Sequence, residues 1–172
     1  EGCAMAVLQL VEDLNTGIEE IDIQHRRIVD YINRLHELRE SPDRAALSEV
    51  IAETVDYTIS HFAYEERMLE DSGYAFTDLH KRVHELFTRR VGEMQTRFEA
   101  GEDVAQELHT MLSRWLFSHI RNEDHCYVDA VKTYQRMTGK GSKQDIEHTK
   151  QQVMHKLEKK YKRKGFFARL FG

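Results

Sequence analysis

His61-Phe62-Ala63-Tyr64-Glu65 and His80-Lys81-Arg82-Val83-His84 each set two metal-competent side chains four residues apart. On an α-helix that spacing puts both on one face, about 6 Å apart along the axis and roughly 40° apart around it. Two such pairs on neighbouring antiparallel helices would bring three imidazoles and one carboxylate toward a single point. Imidazole with carboxylate suits iron, and ligand type alone leaves zinc and manganese open.

Outward from these stretches the chain reads as helix. One Pro, nine Gly and 32% charged residues in a chain of 172 favour long helices and one domain with a substantial core. Thr16-Gly17-Ile18-Glu19 has the capping-box pattern and places Thr16 at the N-cap of the first helix. Behind it Ile18, Ile21, His25, Ile28, Ile32 and Leu35 alternate spacings of three and four, an inward stripe of bundle type. Ser41-Pro42 closes that helix and opens the next, with Ser41 as N-cap and Pro42 in the first helical position. The second stripe is Leu47, Ile51, Thr54, Thr58, His61, Glu65 and Met68, in a helix running to about Asp71 and ended by Ser72-Gly73. The third helix spans about Ala75 to Ala100, with Phe76, His80, Val83/His84, Phe87, Val91, Met94 and Phe98 inward. The fourth starts near Asp103 and turns Val104, Leu108, Met111/Leu112, Trp115 and His119 inward.

Each stripe therefore carries at least one His where an apolar residue belongs. The polar positions fall late in the second and fourth helices and early in the first and third. In an up-down-up-down four-helix bundle these lie at one end and at similar depth. A single core His is usually just hydrogen-bonded, and a buried His–Glu pair is common. Five histidines at one level are not explained that way. An ionised Glu65 in a core would also cost several kcal/mol unless paired or metal-bound. Asp124 follows His119 by five residues and would point about 140° away on a regular helix. It can join the cluster only if the helix loosens around Arg121-Asn122-Glu123, with a new helical segment carrying Val128, Val131 and Tyr134 starting near Asp124.

The stretches Ile21-Asp22-Ile23-Gln24-His25, His61-Phe62-Ala63-Tyr64-Glu65-Glu66, Gly73-Tyr74 leading to His80-Lys81-Arg82-Val83-His84, and Trp115-Leu116-Phe117-Ser118-His119-Ile120 followed by Asp124 resemble the hemerythrins, in particular those of bacteria. The resemblance covers roughly residues 7–136. Leu10 or Val11 stands where bacterial members often carry a Trp, outside the site. The resemblance implies a non-haem di-iron centre with His25, His61, His80, His84 and His119 as terminal ligands, and Glu65 and Asp124 as bridges. How the histidines divide between the two irons is left open. Two octahedral ions offer twelve positions, and these ligands with an oxo or hydroxo bridge fill eleven. The remaining one is where the family binds O2 reversibly. Di-iron oxygenases and ferroxidases are instead carboxylate-rich, with Glu-x-x-His pairs. A histidine-rich, nearly saturated site suits holding O2 rather than cleaving it, so an O2-binding protein and not an enzyme is expected. The alternative is a di-iron redox enzyme or sensor with peroxidase, NO or nitrite chemistry. Phe62, Trp115 and Ile120 flank ligand positions and are expected to line the O2 pocket, or simply to pack the core. His36, three turns beyond His25 and close to its face, is expected to be a partly exposed residue at the bundle end.

Charge is unevenly spread. Residues 150–172 hold eight Lys or Arg against the single acid Glu158, a net of +7, so the preceding 149 residues carry −12. An acidic body excludes nucleic acid as the expected partner. Beyond a linker, a basic helix with Val153/Met154, Leu157 and Tyr161 at helical spacing leads into Lys162-Arg163-Lys164-Gly165-Phe166-Phe167-Ala168-Arg169-Leu170-Phe171-Gly172. That ending is similar to the membrane-targeting helix of the cell-division ATPase MinD. Phe166, Phe167, Leu170 and Phe171 would insert, while Lys162, Arg163, Lys164 and Arg169 are drawn to anionic lipid or to a membrane protein, at about 1 kcal/mol per charge. Docking of the basic tail on the acidic body is the other reading.

Two cysteines make no disulfide framework and nothing resembles a signal peptide or a membrane span, so a reducing cytoplasm and peripheral contact with the inner membrane are expected, for a monomer. Glu1-Gly2-Cys3-Ala4 ahead of Met5 fits a vector-derived leader, which would leave Cys126 as the native cysteine. The expected organisation is an N-terminal arm over 1–15, an all-α four-helix bundle over 16–137, a linker over 138–149 and a basic amphipathic tail over 150–172.

Overall fold

The structure, a computed structural model, describes residues 12–161. The arm before residue 12 and the tail residues 162–172, with the whole lipid-contact set from Lys162 to Phe171, lie outside the described residues. A 3-10 turn (Glu12–Leu14) leads into α1 (Glu19–Leu38), α2 (Arg44–Ser72), α3 (Thr77–Glu99) and α4 (Ala105–His119). A π-helical turn (Ile120–Asp124) continues directly into α5 (His125–Thr138), and α6 (Lys143–Tyr161) closes the described chain. Helices α1 to α4 form the antiparallel bundle, with α5 extending its fourth member and α6 laid on α2. Among the described residues no helix is long and apolar enough to cross a membrane.

The predicted stripes are buried or half-buried, with one exception. Ile21, Ile32, Leu35 and Leu108 are fully buried and the ligand candidates on the same faces are buried with them, while Met68, Met111 and Trp115 are half-buried. Phe76 is instead 62% exposed. Helix α3 begins one residue later, so Phe76 sits ahead of the first turn, its carbonyl accepting from the His80 amide and its ring against Tyr74 at the surface. The core divides in two. A large cluster runs from Leu14 and Ile28 to Leu116, Ile120 and Leu157, and a small one comprises Ile18, Ile21, Tyr64, Leu69, Tyr127 and Val131. Between them lies a layer of buried polar side chains.

Helix starts are held differently from expectation. Thr16 is not the N-cap of α1, which is Ile18. The carboxylate of Asp22 reaches back to collect the Thr16 amide and hydroxyl, both at 2.8 Å, and the Gly17 amide at 3.0 Å. A carboxylate in the first turn also complements the helix dipole. Gly17 has φ +74°, a left-handed conformation that favours glycine at this turn. The cap of α2 is Asp43, which accepts from the Ala46 amide at 3.0 Å, and not Ser41, whose hydroxyl accepts from the Asp43 amide. Gly73 at φ +66° ends α2 in a Schellman arrangement, Tyr74 N–H donating to the Leu69 carbonyl.

The linker expected over 138–149 is shorter. Gly139 turns the chain at φ +67°, and α6 starts at Lys143. Ser142 and Asp145 explain this: the serine hydroxyl accepts from the Asp145 amide, and the Asp145 carboxylate accepts from the Ser142 hydroxyl at 2.6 Å, a capping box with Asp in the acidic role. The apolar residues of α6 face the protein, with Val153 and Leu157 buried in the main core.

Candidate metal centre

Four helices and one irregular turn bring the seven candidate side chains together. His25 comes from α1, His61 and Glu65 from α2, His80 and His84 from α3, and His119 from the end of α4. Asp124 ends the π-helical turn, where the His125 amide reaches back five residues to the Ile120 carbonyl. One residue added to the turn returns Asp124 to the face of His119, which a regular helix would not do. All seven side chains are at most 4% exposed.

The cluster has two halves. Glu65, His80, His84 and His119 offer ligand atoms all within 4.8 Å of one another, and so do His25, His61 and Glu65. On the first side His80 Nε2 and His84 Nε2 lie 3.0 and 3.1 Å from Glu65 Oε2. His84 Nε2 faces His119 Nε2 at 3.0 Å. Asp124 spans both sides: Oδ1 is 3.0 Å from His119 Nε2 and 3.4 Å from His80 Nε2, while Oδ2 is 3.1 Å from His25 Nε2. The Tyr127 hydroxyl donates to Glu65 Oε1.

Hydrogen bonding alone does not account for this arrangement. Both ring nitrogens of His25 and both oxygens of Asp124 are buried without a hydrogen-bond partner, although they approach one another closely. The contacts are near but poorly aligned for sharing a proton. Among the described residues no Lys or Arg pairs with Glu65 or Asp124, and two such carboxylates would be costly alone. Adjacent ligands about 2.1 Å from one octahedral ion lie about 3.0 Å apart, the spacing that recurs here. The donor set fits divalent or trivalent metal.

The outward nitrogens of two histidines are held by acceptors. His61 Nδ1 donates to Gln24 Oε1 at 2.9 Å and His84 Nδ1 to Glu66 Oε1 at 2.9 Å, while His119 Nδ1 lies 3.0 Å from Glu123 Oε2 without the alignment of a hydrogen bond. Such partners fix ring orientation and raise basicity toward metal. Gln24, Glu66, Glu123 and Tyr127 were not singled out by sequence reasoning. Helical spacing could have found Glu123, four residues after His119, and Tyr127, three after Asp124. Of the expected pocket residues, Phe62 stacks on His84 at 3.9 Å and Trp115 on His119 at 4.3 Å, both against the three-histidine half. Phe62 also meets the His61 ring at 5.8 Å, and Ile120 is fully buried in the main core.

Without metal the site is electrostatically uneven. Burial pushes His61 down to about 3, against the pull of Glu65. Burial also opposes a charge on His84, but hydrogen bonds to Glu65 and Glu66 outweigh it and hold the imidazole up at about 9. Burial would raise Glu65, yet its hydrogen bonds with His80 and His84 keep it well below the usual carboxylate range. His61 is thus held neutral and His84 holds its proton.

Comparison with known proteins completes this picture. Residues 16–131 match the hemerythrin HHE cation-binding domain. Bacteriohemerythrin of Pseudomonas aeruginosa strain LESB58 is 59% identical over 128 residues, covering 74% of this chain and 84% of that protein. The chain belongs to the hemerythrin family. Bacteriohemerythrin of Stenotrophomonas maltophilia strain R551-3 is 57% identical over 130 residues, 76% of this chain and 85% of that protein. The crystal structure of a wild-type hemerythrin superposes with a TM-score of 0.71 at 27% identity, over 73% of this chain and 98% of that one. Hemerythrins bind O2 at a non-haem di-iron centre, and the His/Glu cluster here is of a kind that can hold metal. Helix α6 lies beyond the matched residues.

Proposed function

We propose that the seven side chains hold two iron ions joined by an oxo or hydroxo bridge and that the protein binds O2 reversibly there. The division of the cluster carries this reading: three histidines converge on one side, two on the other, and two carboxylates lie between them. His80, His84 and His119 would serve one ion, His25 and His61 the other, with Glu65 and Asp124 shared. Iron held there would supply the electrons that O2 binding requires. The chain's own residues do the rest. Gln24 and Glu66 orient imidazoles, Tyr127 donates to Glu65, and the rings of Phe62 and Trp115 cover His84 and His119 against water.

A site with so few open positions binds rather than transforms, so the chain acts as an oxygen-binding protein and not as an enzyme. Storage, delivery or sensing of O2 beside the inner membrane is the role we propose, for a monomeric cytoplasmic protein. Lys162, Arg163, Lys164 and Arg169 would meet anionic lipid, and Phe166, Phe167, Leu170 and Phe171 would insert. Support for the tail comes from composition: +7 net charge beside a short apolar wedge.

Metal analysis after anaerobic loading tests the centre. About two irons per chain are expected from the two halves; one or none contradicts it. Co-sedimentation with liposomes of mixed neutral and anionic lipid tests the tail. Deleting residues 162–172 should abolish binding, and unchanged binding rejects the lipid contact.

A further inference from the structure

Helix α6 lies outside the family match, yet one of its side chains is connected to the site. Lys150 Nζ donates to Glu20 Oε1 on α1 at 2.8 Å. The same oxygen accepts from Gln24 Nε2 at 2.8 Å, and Gln24 Oε1 accepts from His61 Nδ1 at 2.9 Å. Glu20, Gln24 and His61 are 8%, 1% and 1% exposed, so the chain of contacts runs through the interior.

Each link sets the direction of the next. A carboxylate only accepts, so the Gln24 amide turns its NH2 toward Glu20 and its carbonyl toward His61. A carbonyl also only accepts, so the proton of His61 sits on Nδ1 and the Nε2 lone pair points into the cluster. Lys150 neutralises Glu20. Without it a buried carboxylate would be left with an uncharged amide as its hydrogen-bond donor, a costly state relieved by turning to water and releasing Gln24.

We propose that Lys150 is a positioning residue for the metal centre. Through Glu20 and Gln24 it holds His61 in the tautomer and rotamer that present Nε2 inward, so docking of α6 on the bundle is coupled to the two-histidine half. Any pull that lifts α6 away is felt at His61. The coupling to metal rests on the di-iron reading above, while the network itself can be observed in metal-free protein.

Lys150→Met keeps the length and packing of the side chain but removes the donor, and Lys150→Arg keeps a donor. In metal-free protein, the His61 Nδ1–H signal followed by NMR should exchange with water about tenfold faster in K150M and within about twofold of wild type in K150R. In iron-loaded protein, release to a chelator should be about three- to tenfold faster in K150M and restored by K150R. Glu20→Leu, which removes the shared acceptor and changes no residue of α6, should act alike, and combining it with K150M should add nothing, as expected for one pathway. Wild-type exchange and release in K150M overturns the proposal, and so does a wild-type E20L beside an impaired K150M, which would show that the effect does not pass through Glu20. Wild-type protein that takes up no iron would instead reject the di-iron reading, leaving His61 exchange to judge the network.

Discussion

Helices α1 and α4 carry histidines into the interior at two levels, and the two levels differ. Near one end, His25 and His119 join His61, His80 and His84. At the other, His36 and His109 face each other with ring centroids 4.8 Å apart, hardly closer than the 4.9 Å between His25 and His61 or His80 and His119. Ring spacing therefore does not distinguish them. The difference lies in the company. The first level has Glu65 and Asp124 between the imidazoles and hydrogen-bond acceptors behind two of them. The second has Arg39, whose guanidinium donates to the His36 carbonyl, and two ring nitrogens buried without a partner. Burial first, and then the neighbouring His36 and the Arg39 guanidinium, lower the pKa of His109. A cation is invited at one level and repelled at the other.

That contrast can be broken from either end. The largest effect is expected from Glu65→Gln, which removes the carboxylate shared by both halves. Iron retained after dialysis against chelator should fall by about a hundredfold or more, beyond the range for outer partners. Retention near wild type would mean that the carboxylate is not what separates the levels.

Next comes pH. His84 holds a proton up to about 9 in the metal-free site, and a ligand must release it. Metal uptake should therefore tighten about tenfold per pH unit between 7 and 8.5, with proton release seen in weakly buffered solution. Folding of the metal-free protein follows the same groups. The raised His84 contributes stability in full below its unfolded value near 6.5 and loses it as pH rises through about 9. The depressed His61 contributes above 6.5 and loses it as pH falls toward 3. Urea midpoints should thus peak near pH 6.5; a profile that only rises would contradict the His84 assignment, and one that only falls the His61 assignment.

A smaller change sharpens the view of the outer acceptors. Glu66→Gln should speed iron release about tenfold through His84 while leaving the fold intact by circular dichroism. The smallest effect belongs to the other level. His109→Leu removes a buried ring nitrogen without a partner, so iron content should not change, and stability should stay within about 1 kcal/mol of wild type or rise. Loss of iron in that variant would show the two levels to be coupled.

Much of the site was legible in the chain because ligands on helices obey the period of the helix. Spacing alone puts the five histidines and Glu65 on inward faces; Asp124 joins them through the resemblance and needs a looser turn, which the π-helical turn supplies. What spacing cannot carry is contact between elements. The partition of histidines depends on which rings face which carboxylate oxygen across α1, α2, α3 and α4. The roles of Gln24, Glu66 and Lys150 depend on side-chain rotamers. Helix starts were misread for a local reason: several Ser, Thr and Asp residues compete for each cap, and Asp22 and Asp43 hold turns that Thr16 and Ser41 were expected to hold. Phe76 has the right period but precedes the first turn, where the period no longer applies.

The central claim, that one level of the bundle is a reversible O2 site, is tested most directly by the visible and near-ultraviolet spectrum of iron-loaded protein, reduced without air and then exposed to oxygen. A nearly colourless reduced form that gains charge-transfer bands with O2 and loses them on degassing is the predicted result. Irreversible oxidation within the mixing time would contradict it and turn the same bundle into a redox enzyme or sensor.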